Sequence, residues 1–149
     1  MQAPPDGTLA VDHEPSASIV HTGKAGGADV TVVPVPVDRA LLETGRARFE
    51  VLCAACHGIL GDGTSVVATH MTLGKPPNLL LPPARTDPVG EVLQTLVGGY
   101  GLMPSYRAQL SDDEAWAVVA YLGALRLAQR ARVSDLPPDM RERLASVQP

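Results

Sequence analysis

The sequence predicts an all-α domain behind an extended N-terminal leader, and three observations predict it. After residue 38, apolar residues recur three or four apart in separate stretches, the spacing that lines one face of an α-helix. No segment alternates apolar and polar residues convincingly enough to read as a half-buried strand. Between the helical stretches, residues 58–85 are so rich in Gly and Pro that no long regular element fits them.

The organisation follows in chain order. Residues 1–37, rich in Pro, Gly, Ala, Ser and Thr, read as an extended or flexible leader; residues 30–37 could also lie in a groove on a partner or on the domain itself. The main domain spans residues 38–130. Asp38 is the expected N-cap of a first helix in which Leu41, Leu42, Gly45, Phe49 and Leu52 share a face, running to about Cys53. The loop over residues 58–85 is too long for a compact domain unless it wraps a functional site. Thr86 or Asp87 can cap a second helix, with Pro88 in its first turn and Gly98 and Gly99 at its end. Ser111 and Glu114 form a capping box for the strongest helix, whose Trp116, Val118, Val119, Leu122 and Leu125 continue towards Gln129. Residues 131–149 are a tail with room for one short helix started by Pro138.

Composition narrows the function. With 149 residues, 45% hydrophobic and 19% charged, the chain has the size and balance of one globular domain. Aromatic residues make up only 3% of it: Phe49, Tyr100, Tyr106, Trp116 and Tyr121. Rings supply much of the buried area of a small core, so their shortage suggests that something other than side chains fills the centre. The net charge of -4 gives no basic face for nucleic acid. No stretch reaches the 18 or so consecutive apolar residues that span a bilayer, and residues 1–20 lack the basic start and apolar run of a signal segment. Membrane association is therefore expected only through partners or through an anchor missing from this sequence.

One constellation carries chemistry: Cys53, Ala54, Ala55, Cys56, His57. Two thiols three residues apart on a helical turn can each add to one vinyl group along an edge of a porphyrin, and the adjacent histidine then lies under the iron. This is the pattern of covalent c-type haem attachment, and it would put one haem c in the centre that the aromatic residues leave unfilled. A structural zinc site would need a second pair of ligands, which is missing. A thioredoxin-like pair would be expected beside a βαβ pattern, and a plain disulfide would leave His57 unexplained.

Four methionines compete for the iron's sixth position. Met1 is the start, and Met140 lies in the tail, where a packing role is expected. Met71 and its neighbour His70 are formal alternatives in the loop. Met103 is better placed, because Gly98, Gly99 and Gly101 let the chain approach a flat ring and Pro104 fixes the backbone behind it. A His57 and Met103 pair closes the iron and describes an electron carrier, either a subunit of a membrane-associated complex or a free soluble carrier. A labile sixth ligand would instead describe a haem peroxidase or a gas sensor, and a redox-silent haem a structural module.

These residues resemble the class I cytochromes c over about residues 38–127. Gly45 and Phe49 look like that family's first-helix pair, with Val118 and Tyr121 as counterparts on the last helix. The resemblance implies N- and C-terminal helices crossing over a covalently bound haem. It also implies that Pro77, in the segment Pro77, Asn78, Leu79, offers its carbonyl to the Nδ1 proton of the haem histidine. A closer resemblance, carried by residues 36–45, 58–63, 98–106 and 116–127 and by Pro137 and Pro138, is to the monohaem cytochrome subunit of alternative complex III, a quinol-oxidising respiratory complex. That likeness implies redox protein partners, namely other subunits of a respiratory complex, no bond chemistry of its own, and a periplasmic or extracytoplasmic place at the membrane periphery. Relatives of that subunit are commonly anchored through an acylated N-terminal cysteine, and both cysteines of this chain are committed to haem.

Overall fold

The computed structural model describes residues 18–147. In chain order these form α1 (Ile19–Thr22), a hairpin of β1 (Lys24–Ala25) and β2 (Ala28–Asp29), α2 (Arg39–Leu52), α3 (Ala54–His57), α4 (Val66–His70), α5 (Val89–Gly98), α6 (Asp112–Ala128), a 3-10 turn (Val133–Asp135) and α7 (Pro138–Val147). The fold is mostly helical, as expected.

The long helices start where their caps place them. Asp38 accepts the Leu41 amide at 2.8 Å, and Ser111 and Glu114 exchange side-chain and main-chain bonds at 3.2 and 3.0 Å in a complete capping box. The second helix differs from expectation. It begins behind Pro88 with no side-chain cap, while the Thr86 hydroxyl donates to the Pro83 carbonyl. Proline's fixed φ already suits a helix entrance, so a cap is dispensable there.

The helices α2 and α6 cross at Gly45. A Cβ on Gly45 would lie 2.0 Å from the Ala117 carbonyl oxygen and 2.8 Å from the Tyr121 Cβ, so only glycine allows this approach. One turn on, the Phe49 and Tyr121 rings meet with centroids 5.5 Å apart and planes tilted by 57°. Arg48 and Glu114 pair across the same seam. Phe49, Leu93 and Trp116 are the largest fully buried side chains and mark the centre of the core.

The N-terminal segment departs most from expectation. Residues 1–17 of the leader lie outside the described residues, but from Ser18 onward the chain is docked on the domain rather than tethered beside it. The Trp116 indole donates to the Val20 carbonyl at 2.6 Å. Gly90 donates its amide to the Val30 carbonyl, and the Val30 amide donates to the Gly23 carbonyl, both at 2.9 Å. Gln94 donates to Asp29, and Val20, Val30, Val33 and Val35 pack against the core. The hairpin, absent from the sequence reading, turns on Gly26 and Gly27, whose φ of 57° and 84° suit a two-residue turn. Its strands hold two residues each, too few for any alternation to register.

The tail helix α7 forms as expected behind Pro138. Its Met140 is exposed rather than packed.

Candidate haem site

The turn that carries the motif follows directly from the end of α2. Cys53 closes α2 and opens α3, and its carbonyl accepts the amides of Cys56 at 3.1 Å and His57 at 2.8 Å. Both cysteines are free thiols on one turn of chain. Burial, with the Cys56 thiol as a lesser cause, pushes the Cys53 thiol up to about 11. That is the reverse of the lowered pKa that activates the thiol of a thiol–disulfide exchange centre. Among the described residues no group of three His, Cys, Asp or Glu side chains converges to hold a metal ion.

His57 is half-buried, and its Nδ1 lies 3.2 Å from the Pro77 carbonyl oxygen. A carbonyl only accepts, so Nδ1 must carry the proton and Nε2 the lone pair. Burial lowers the imidazole's pKa and the Pro77 bond partly opposes it, so the ring is neutral at pH 7. A neutral imidazole with a fixed tautomer is what a metal-ligating histidine requires.

The glycine-rich loop is folded around this ring. Gly63 donates its amide to the His57 carbonyl and Leu79 donates its amide to the Gly61 carbonyl, both at 2.8 Å. At Gly58, with φ 78°, a Cβ would sit 2.4 Å from the Thr64 carbonyl oxygen, so this turn is closed to any side chain. Ser65 donates to the Cys56 carbonyl at 3.0 Å while capping α4 through the Ala68 amide.

Met103 sits on a tight turn in which Tyr100 and Met103 exchange main-chain bonds of 3.0 and 2.9 Å around Gly101, whose φ is 57°. It is half-buried against the same hydrophobic cluster as Cys53 and Leu79. The two alternatives stand apart from that cluster. His70 is exposed, with its Nδ1 2.8 Å from the Val66 carbonyl oxygen, and Met71 follows it at the end of α4.

The residues fit a haem. Two thiols on one turn, a neutral imidazole with its Nε2 lone pair uncommitted to Pro77 and a thioether beside the same apolar cluster are donors of the kind a c-type haem takes. Ile59, Leu60, Leu73, Leu81, Tyr100 and Leu102, all in the segments around this turn, are exposed large apolar side chains, which suits a protein built around an apolar group.

Two residues escaped the sequence reading. The Tyr106 hydroxyl donates to the Leu52 carbonyl at 3.2 Å and its amide to the Leu96 carbonyl at 3.1 Å, tying the segment after Met103 to α2 and α5. Arg126 donates through Nε to the Leu79 carbonyl at 2.9 Å and through a terminal nitrogen to the Ala84 carbonyl at 2.7 Å. Neither role has a sequence signal, because the acceptors are main-chain carbonyls that every residue carries.

Comparison with known proteins bears on the fold and the family. Among solved structures it is similar to a chain of the reducing HAO-like protein complex of Kuenenia stuttgartiensis, at 23% identity and a TM-score of 0.54, over 72% of this chain and 54% of that one. It thus spans about half the length of that neighbour. It is also similar to cytochrome cL of the marine methylotroph Methylophaga aminisulfidivorans, at 19% identity and a TM-score of 0.51, over 95% of this chain and 87% of that one. These likenesses speak for the class I cytochrome c fold. No curated protein matches the chain. The family model described as cytochrome C oxidase, cbb3-type, subunit III matches residues 40–122, from the second residue of α2 to the middle of α6 and across the whole Cys53–His57 turn. A match over more than half of the chain, across the Cys53–His57 turn, makes this chain a member of that family of c-type cytochrome domains, whose chemistry is electron transfer through haem.

Proposed function

We propose that the chain holds one haem c through thioether bonds to Cys53 and Cys56, with His57 Nε2 and Met103 Sδ as axial ligands, and carries single electrons as a subunit of a membrane-associated respiratory complex outside the cytoplasm. The haem supplies a one-electron couple. The protein's part is to fix and insulate it. The bond from His57 Nδ1 to the Pro77 carbonyl carries this reading, because it directs the Nε2 lone pair to the iron and makes the imidazole a stronger donor. The Met103 turn offers a soft sixth ligand, which closes the iron to oxygen and raises its potential relative to two nitrogen ligands.

Membership of a complex is supported by the family's description as an oxidase subunit and by the resemblance of the loops to the alternative complex III cytochrome. It is also supported by α7, which buries none of its residues and exposes Met140, Leu144 and Val147. Among the described residues no helix is long and apolar enough to cross a membrane, so the association runs through partners or an anchor.

The ferric optical spectrum tests the ligand set. The wild type is expected to show the sulfur-to-iron charge-transfer band, and Met103→His to lose it. Persistence of the band in the variant removes Met103 from the iron.

A further inference from the structure

We propose that Arg126, on the last helix, is a positioning residue for the haem histidine: its two-pronged bond to the loop carbonyls of Leu79 and Ala84 holds the Pro77 carbonyl on His57 Nδ1. The inference rests on His57 ligation as proposed above and reaches further, to the side chain that sets the strength of that ligand.

Three observations carry it. The guanidinium spans two main-chain acceptors five residues apart, with Nε on the Leu79 oxygen at 2.9 Å and a terminal nitrogen on the Ala84 oxygen at 2.7 Å. A rigid planar fork clamps such a pair, whereas a lysine ammonium holds a single point. Leu79 lies two residues after Pro77, and its own amide is tied to Gly61 at 2.8 Å, so clamping Leu79 leaves Pro77 little freedom of its own. Arg126 is also half-buried and forms no ion pair among the described residues, with Asp87 acting on it only from beyond pairing distance. A cation kept there on carbonyls alone pays for desolvation without a carboxylate partner. The loop geometry is what it secures in return. The path runs from α6 to Leu79, through the chain to Pro77, and from there to the His57 ring.

Charge and position make different predictions. If only the positive charge mattered, Arg126→Lys would behave as wild type. If the fork positions the loop, Lys and Met are equally poor substitutes. The measurement is exchange of the His57 Nδ1 proton, followed by NMR in the reduced, haem-loaded full chain with nitrogen-labelled histidine. Both Arg126→Lys and Arg126→Met are expected to speed that exchange by about tenfold or more. Ser111→Ala, which weakens the start of α6 far along the chain from Arg126, is the control for general destabilisation and is expected to leave the rate near that of wild type. Wild-type exchange in either Arg126 variant overturns the proposal, as does equal acceleration by Ser111→Ala. Should the variants not fold, the wild type decides. The Leu79 amide and the His57 Nδ1 proton should then exchange in step with the amides of the turn of α6 that carries Arg126, and a loop that opens on its own overturns the clamp. A wild type without covalent haem overturns this inference and the proposed function together, whereas a ligated His57 with unaffected exchange overturns only this one.

Discussion

Pro77 offers a carbonyl to His57, and any residue has a carbonyl, so the proline itself must serve another purpose. Its ring limits the conformations of the free loop and presets the turn that brings the oxygen to 3.2 Å from Nδ1. Pro77→Ala is expected to keep the ferric spectrum unchanged while lowering stability to denaturant by about 0.4–1 kcal/mol, the entropy returned to the unfolded chain. A changed spectrum with unchanged stability would mean that the ring, and not the carbonyl, matters to the iron. His57 and the two cysteines were legible in the sequence because their chemistry depends on side-chain type and spacing. Arg126 and Tyr106 were not, because they act on main-chain oxygens that only the fold brings near.

The crossing of α2 and α6 sets the energetics of the elements. In Gly45→Ala, helix propensity would favour the variant by about 1 kcal/mol. The added Cβ would meet the Ala117 oxygen at 2.0 Å, and main chain cannot rotate away, so overpacking of about 3 kcal/mol or more wins. A net loss near 2 kcal/mol in denaturant unfolding is expected, and equal or higher stability would mean that the helices part without cost. The capping box at Ser111 adds a pH dependence. The Ser111 amide, followed by Arg48, holds the Glu114 carboxyl below its ordinary range. Its folded pKa is lowered, so its contribution is complete above the ordinary carboxylate range and is lost as pH falls towards the lower folded value. Glu114→Gln is expected to flatten that part of the acid limb in thermal melts recorded against pH, and an unaltered limb would count against it. Both the cap and the helix extents could be read from sequence, because capping is local. The unexpected entrance to α5 behind Pro88 shows the limit: a helix with a suitable proline does not need the cap that Thr86 or Asp87 could provide.

At the scale of the molecule, residues 18–37 form part of the domain's back wall. Gly23 and Gly90 meet so closely that a Cβ on Gly90 would lie 2.1 Å from the Gly23 carbonyl oxygen and 2.8 Å from the Val30 amide. Gly90→Ala is therefore expected to unseat this segment and leave the haem ligands in place. Hydrogen exchange should speed up at the Val30 amide and the Trp116 indole, whose partners are Gly23 and Val20, while the optical spectrum stays as in wild type. Unchanged protection at both would mean that the contact is not what holds the segment. Composition suggested a tether here, since Pro and Gly interrupt the segment, although residues 30–37 could also have lain in a groove on the domain. Val20, Val30, Val33 and Val35 dock on a core formed elsewhere in the chain, so a local window could offer the groove for residues 30–37 only as an alternative and gave no sign of it for Val20.

By itself the sequence determined the chemistry and the helices: the Cys53 to His57 turn and the caps at Asp38 and Ser111 are each specified by residues within a few positions of one another. The tertiary structure decided what holds that chemistry in place. The clamp from Arg126, the Tyr106 tie and the bond from Trp116 to Val20 are hydrogen bonds to main-chain carbonyls between residues 42 to 96 positions apart. Such bonds draw on no particular residue type at the acceptor, so they leave no pattern in the sequence and exist only once the chain has closed.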